Sequence, residues 1–139
     1  HKDFFDGHSW ASGLFIQNNG KSQESSSEAI NAYYALYLMG LATNDSELSD
    51  WGRILLAEEI KSVQKYWHMC IESEIYDMKF SSNRMIGVVG ALDVSDNTWF
   101  GQNVEYVHGI NFIPFTPITS ELLSYDFIEE EWPILSTAF

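Results

Sequence analysis

The chain has 139 residues, 45% of them hydrophobic and 15% aromatic, enough apolar material for a core and too much for a disordered polymer. Seven basic against 20 acidic residues leave a net charge of −13, which argues against a phosphate-neutralising nucleic-acid surface and against docking on anionic membranes. No stretch approaches the roughly 20 apolar residues of a bilayer span, and the single cysteine, Cys70, excludes an internal disulfide and a cysteine-based zinc site.

In chain order, residues 1–20 are rich in aromatics and glycine, and Asn18-Asn19-Gly20 reads as a turn, so a loop with short extended pieces is expected. Residues 25–41 read as a helix. Ser25-Ser26-Ser27-Glu28 fits a capping box, and Ile30, Tyr33, Tyr34, Tyr37 and Leu41 form one apolar stripe. Thr43-Asn44-Asp45 ends it. A second helix is expected over about 46–69, with Leu56, Ile60, Val63 and Trp67 inward and Glu58 and Lys61 paired on the outer face. The short connection implies an antiparallel hairpin. Residues 71–84 are polar and mixed. Met85–Val89 and Val104–Val107 read as short strands, with a Gly109 break after the second, and Thr119-Ser120-Glu121 opens a short helix at about 120–125. The pattern is mainly α with long, aromatic-rich connections, the kind that usually carry function.

Three groups of residues could carry chemistry. Glu24 and Glu28 lie four apart at a helix start. If the first turn includes both, they share a face with Asn31 and the small Ala35, where a ligand has room. The helix N-terminus favours ionised carboxylates, and an ionised carboxylate can act as general base toward water. Acids in a first turn are equally good as ordinary caps. Asp3, Asp6, His8 and Trp10 place acids, an imidazole and a flat indole on one Gly-containing loop, a set suited to sugar binding or to a loop folded under its own aromatics. His108, beside Gly109, is either a cleft residue or an ordinary hydrogen-bonded histidine. The four histidines lack metal-ligand spacing, and no phosphate loop, serine elbow or calcium loop occurs, so no metal and no cofactor is expected. Cys70 reads as a small buried thiol.

Together, HKDFFDGHSWASGLF, QESSSEAINAYYALYLMGLA, EEIKSVQKYWHM, NRMIGVV and TWFG…EYVHGINFIPFTPIT resemble glycoside hydrolase family 81, the endo-β-1,3-glucanases of fungi, bacteria, oomycetes and plants. The five blocks occur in the family's order from His1 to about Leu123; residues 126–139 match nothing. The resemblance implies an (α/α)6 toroid that hydrolyses internal β-1,3 linkages of laminarin-type and cell-wall glucans with inversion and without a cofactor. It implies that Glu24 and Glu28 lie on the water side, Glu28 leaning toward formal base, and that Asp6, His8, Trp10, Asn31, Tyr34 and His108 line the glucan subsites. It further implies an extracellular or cell-wall location, a β-1,3-glucan partner, no nucleic-acid or membrane partner, and a monomer.

The family's general acid belongs to a D-H-H-x-H-Y-G-Y block that this sequence lacks, so the acid is expected upstream of His1. With no Met at position 1, and too few helices for a toroid, residues 1–139 are expected to be one internal segment of the catalytic domain, incomplete at both ends. A glucan-binding segment resembling the family's plant elicitor receptors is the alternative.

Overall fold

The computed structural model describes residues 1–12, 18 and 20–139. Among these, the order is β1 (Ser22–Gln23), α1 (Ser26–Thr43), α2 (Ser46–Tyr66), α3 (Met78–Ser81), β2 (Val88–Gly90), β3 (Val94–Ser95), α4 (Val104–Ile110), α5 (Thr119–Leu122) and α6 (Tyr125–Leu135), closed by a 3-10 turn over Ser136–Ala138. The fold is mainly α, as expected. The glycines at 13 and part of the expected Asn18–Gly20 turn lie outside the described residues.

The α1–α2 hairpin is the frame. Ser25 caps α1 by accepting from the Glu28 N–H. Asn44 ends α1 in the left-handed region at φ 54°, its N–H returning to the Gly40 and Leu41 carbonyls. Asp45 then caps α2 through the Leu48 N–H at 3.0 Å. The helices meet at glycine. A Cβ on Gly40 would stand 2.4 Å from Ser49 N, and one on Gly52 would stand 2.5 Å from Tyr37 N. The expected stripe of α2 is inward: Leu56, Val63 and Trp67 are buried and Ile60 packs against them. On α1 the stripe is only partly covered, with Ile30 fully buried and Leu41 exposed. Glu58 pairs with Lys2 at 3.8 Å rather than with Lys61, because the N-terminal loop folds back along α2.

Met85 and Ile86 are buried and run beside the chain leaving α2, through an isolated bridge to His68 and the Ile86 N–H to the Trp67 carbonyl at 3.0 Å. The ladder itself starts only at Val88: β2 pairs antiparallel with β1 (Ser22↔Gly90, Gln23↔Val89) and with β3 (Val88↔Ser95, Val89↔Val94).

The expectation of a strand at Val104–Val107 is corrected, since these residues begin α4. Four residues fit both periods, but Val107 and His108 are buried while Tyr106 faces outward, a helical division of faces. Gly109 continues α4 and does not break it. The final helix, α6, was not expected. Ser124 caps it, and Phe127, Glu131 and Leu135 are its buried side.

Candidate active site at the start of α1

The first turn of α1 is tied down by its own serines. Ser25 Oγ donates to the Ile110 carbonyl at 3.0 Å, and Ser27 Oγ donates to the Ile110 and Ile113 carbonyls at 3.1 and 2.5 Å. Ser26 donates to Asn111 Oδ1 twice, from its backbone N–H at 3.1 Å and its hydroxyl at 2.7 Å. Asn111, fully buried, spends its amide N–H groups on the Ile86 and Val107 carbonyls at 3.2 and 2.9 Å. One amide therefore joins α1, α4 and the segment before β2. Its side chain gave no signal in the sequence beyond being an amide after a helix.

This docking occupies one side of the helix start and leaves Glu24 and Glu28 on another. They do not share a helical face as a pair of first-turn residues. Glu28 is the third residue of α1, but Glu24 precedes the Ser25 cap, directly after β1. The two carboxylates therefore differ in setting. Glu28 is exposed, and among the described residues its side chain does not return the second hydrogen bond of the capping box. Glu24 is 6% exposed, and its Oε1 accepts from the Trp99 backbone N–H at 2.8 Å. Burial raises the Glu24 carboxyl above the usual carboxylate range. The Trp99 N–H opposes that rise and the nearby Glu28 charge adds to it.

Exposed aromatics lie on segments bonded to this helix start. Trp99 is 56% exposed, Phe100 is also exposed, and Phe115 is exposed on the segment joined to α1 through Asn31. Asn31 is held rather than free. Its Nδ2 donates to the Ser27 and Pro114 carbonyls at 3.0 and 3.2 Å, and its Oδ1 accepts from Thr116 Oγ1 at 2.7 Å.

The other sequence candidates are placed elsewhere. His8 and Trp10 are buried, the second of the two arrangements the sequence left open for this loop. The imidazole meets the Trp10 and Trp67 rings edge-on at 4.4 and 4.9 Å. Trp10 Nε1 donates to Asp3 Oδ2 at 3.1 Å, a bond that leads the lowering of the Asp3 carboxyl below its usual range. The loop is thus tucked under its own aromatics. Asp6 is half-buried on the α2 side, its carbonyl accepting from Ser62 Oγ at 2.8 Å, in a shallow depression with Phe4, Phe5 and Tyr66. Tyr34 lines an apolar groove with Tyr37, Leu56, Ile60 and Ile118. His108 is enclosed as well. It is buried, its Nδ1 bonded to the buried Glu131, and it faces a cavity of about 100 Å³ bordered by Asn83, Met85 and Asp96, which neither Glu24 nor Glu28 lines.

Glu59 escaped the sequence reading. It is 0% exposed and receives Lys2 Nζ at 3.0 Å and the Ser9 N–H at 3.1 Å, with Gln23 Nε2 at 3.5 Å. The cluster pins the N-terminal loop and β1 to α2, and so fixes the strand that leads into Glu24. Its signal was present: position 59 falls inside the apolar stripe of Leu56, Ile60 and Val63. Among the described residues no three His, Cys, Asp or Glu side chains gather as metal ligands.

The family model of the glycosyl hydrolase family 81 C-terminal domain matches residues 1–138, including the final helix that the sequence blocks did not reach. Over 133 residues the chain is 34% identical to the primary septum glucan endo-1,3-beta-D-glucosidase of Schizosaccharomyces pombe, covering 96% of this chain and 13% of that protein. It is 35% identical to glucan endo-1,3-beta-D-glucosidase 2 of Saccharomyces cerevisiae (94% of this chain, 17% of that protein). A glucan endo-1,3-beta-D-glucosidase of Glycine max is 38% identical (91% of this chain, 20% of that protein). A solved structure of a mutant glycoside hydrolase family 81 protein from Clostridium thermocellum superposes with a TM-score of 0.84 at 31% identity, over 99% of this chain and 19% of that one. The chain thus spans between 13% and 20% of the length of these curated relatives. Fold, sequence and family model agree, and the chain belongs to glycosyl hydrolase family 81, within its C-terminal domain.

Proposed function

We propose that the protein to which this chain belongs hydrolyses internal β-1,3-glucosidic linkages of laminarin-type and cell-wall β-glucans with inversion, and that residues 1–139 are a segment of its (α/α)6 catalytic domain carrying the water-activating side. The observation that carries the proposal is the pair of Glu24 and Glu28, neighbours in charge but different in burial. Inversion needs one carboxylic acid on the leaving oxygen and one carboxylate that takes a proton from water on the opposite face of the sugar. Carboxylates whose surroundings push them apart are the usual means of dividing such roles.

Glu28, open to solvent in the first turn of α1 where the helix dipole favours negative charge, is assigned the base. Glu24, held by the Trp99 N–H, orients the water or the substrate. The acid is supplied from residues upstream of His1. Asp6 and Tyr34, each partly open, remain proposed substrate contacts. Asn31, His8, Trp10 and His108 are assigned to shaping the walls, since their polar atoms or ring faces are already engaged. No cofactor enters this chemistry. A glucan substrate suits a protein that acts outside the cell or in its wall, as a monomer.

The test is reducing-end release from laminarin by the full-length parent, with the anomer of the first product read by NMR. Glu28→Gln is expected to lower kcat by about 10²–10⁴, the usual worth of a general base. Near-normal turnover in both Glu24→Gln and Glu28→Gln would sink the assignment. Tight laminarin binding without cleavage by the parent would move the reading to recognition alone.

A further inference from the structure

Glu24 is gripped by a turn that the reading above leaves without a role. Thr98, itself buried, folds residues 98–101 on themselves. Its N–H and its hydroxyl both donate to the Gly101 carbonyl at 2.8 Å, and its Oγ1 accepts from the Phe100 and Gly101 N–H groups at 3.3 and 3.0 Å. The turn is also backed from behind: a Cβ on Gly101 would stand 2.6 Å from the Tyr106 ring, on α4. With those three N–H groups and one O–H group turned inward, the Trp99 N–H is the turn's donor directed at Glu24.

We propose that the Thr98–Gly101 turn is a positioning element of the candidate active site, in which the Thr98 hydroxyl shapes the loop so that the Trp99 backbone N–H holds Glu24 Oε1 and fixes the carboxylate beside Glu28. The contact spans 75 residues of sequence, so local chain geometry alone does not impose it. A buried carboxylate without its donor would also lose the main influence that keeps its charged form accessible.

The groups around Glu24 are few. From α1, Glu28 faces it. β1, which leads directly into Glu24, is paired with β2 over Ser22–Gln23 and Val89–Gly90, and the turn meets the carboxylate through the Trp99 N–H; none of these groups titrates in the working range. The end of α4 is tied to the neighbouring serines through Ile110 and Asn111, and His108 is bonded to Glu131. Glu24 is therefore the carboxyl through which the turn would act on the acid limb of activity.

The inference rests on the reading of that pair as the water-activating side, and the experiment separates the two. The pH profile of kcat/KM on laminarin is measured for the full-length parent and for Thr98→Val, Thr98→Ser and Glu24→Gln. Removing a donor from a carboxylate disfavours its charged form, so Thr98→Val should move the acid limb up by about one pH unit, and Thr98→Ser, which keeps the hydroxyl, should restore it. If Thr98→Val does not fold, Gly101→Ala displaces the same turn from Tyr106 and should move the limb in the same direction. An unmoved limb in the folded variant, alongside an inactive Glu24→Gln, overturns the positioning role alone. Full activity in Glu24→Gln overturns the inference together with the role given to Glu24, and the reading beneath it falls when Glu28→Gln is fully active as well.

Discussion

Adding a methyl group at Gly52 tests how the frame of the site is held. Alanine is worth about 0.8–1.0 kcal/mol more than glycine inside a helix, so Gly52→Ala on an uncrowded helix would stabilise. Here the new Cβ would lie 2.5 Å from Tyr37 N and 2.7 Å from Tyr37 Cα, both backbone atoms of α1 that no side-chain rotation can move. Carbon contacts settle near 3.5–4.0 Å, so α1 must withdraw by about 1 Å, which forfeits a quarter to a half of each dispersion contact along the seam. Overpacking of this kind costs about 1–3 kcal/mol, occasionally more. Because the seam is glycine against backbone at both Gly52 and Gly40, the cost should fall in the upper part of that range and leave a net loss of about 1–2 kcal/mol after the propensity gain.

Gly109 in α4 supplies the opposite sign. A Cβ there meets nothing within 4 Å, so Gly109→Ala should gain up to about 1 kcal/mol. Urea unfolding followed by tryptophan fluorescence, at a common slope, reads both. Gly40→Ala combined with Gly52→Ala should cost less than the sum of the singles, since one opened seam relieves both. If Gly52→Ala stabilised as much as Gly109→Ala, the close crossing of α1 and α2 would be refuted.

Lys2→Met would strip the cation from the fully buried Glu59, 3.0 Å away, and should cost about 3–5 kcal/mol in the same urea assay, with part of that recovered in the Lys2→Met, Glu59→Gln double variant; a cost below about 1 kcal/mol would mean the pair is not sealed from water. His68 is buried, stacked on Phe127 at 3.8 Å, and burial depresses it from 6.5 to about 3. The fold holds it neutral and the unfolded chain does not. Stability is therefore fully present above pH 6.5 and falls as the pH drops toward about 3, by up to about 1.4 kcal/mol per pH unit; His68→Leu should flatten that part of a stability-against-pH curve. Asn111→Ala leaves Ser26 and the Ile86 and Val107 carbonyls without their partner, which should cost roughly 2–4 kcal/mol by urea unfolding and lower laminarin turnover in the parent, because the start of α1 is released.

The hairpin could be read from the sequence because its signals repeat: a cap at Ser25, a polar turn at Thr43-Asn44-Asp45 and an α2 stripe over three turns all point the same way. Where few residues carry the pattern, the reading went wrong. Val104–Val107 satisfies a strand and a helix equally, and the choice was made by tertiary burial of Val107 and His108. Pro133 inside α6 hid a helix whose cap and buried positions were otherwise regular. The carboxylate pair was legible as residue types at a spacing, but its geometry was not. The cap falls on Ser25, one residue after Glu24, so a four-residue spacing that would place two acids on one helical face places one before the helix and one within it. His8 and Trp10 show the complementary failure. A loop of polar and aromatic residues looks the same in sequence whether its rings face a ligand or one another, and the long-range anchoring of that loop through Glu59 decides in favour of the latter.

That division of Glu24 from Glu28 also explains why the surrounding residues are so heavily committed. Ser25, Ser26 and Ser27 all spend their hydroxyls on α4 and the segment after it, so none is left for the carboxylates. Glu24 is met instead by a backbone N–H from a separate turn. Desolvation raises its carboxyl, so the fold disfavours its charged form relative to the unfolded chain. As the pH rises through that raised value, Glu24 ionises in the folded chain at a cost that the unfolded chain does not bear, and stability declines. At neutral pH Glu24 thus works against folding, with the Trp99 donor offsetting part of the penalty. A residue that taxes the fold in this way while lying next to a second, exposed acid is hard to account for as a cap, since Ser25 already fills that role. It fits the proposed water-activating pair, in which activity would be retained at some cost in stability.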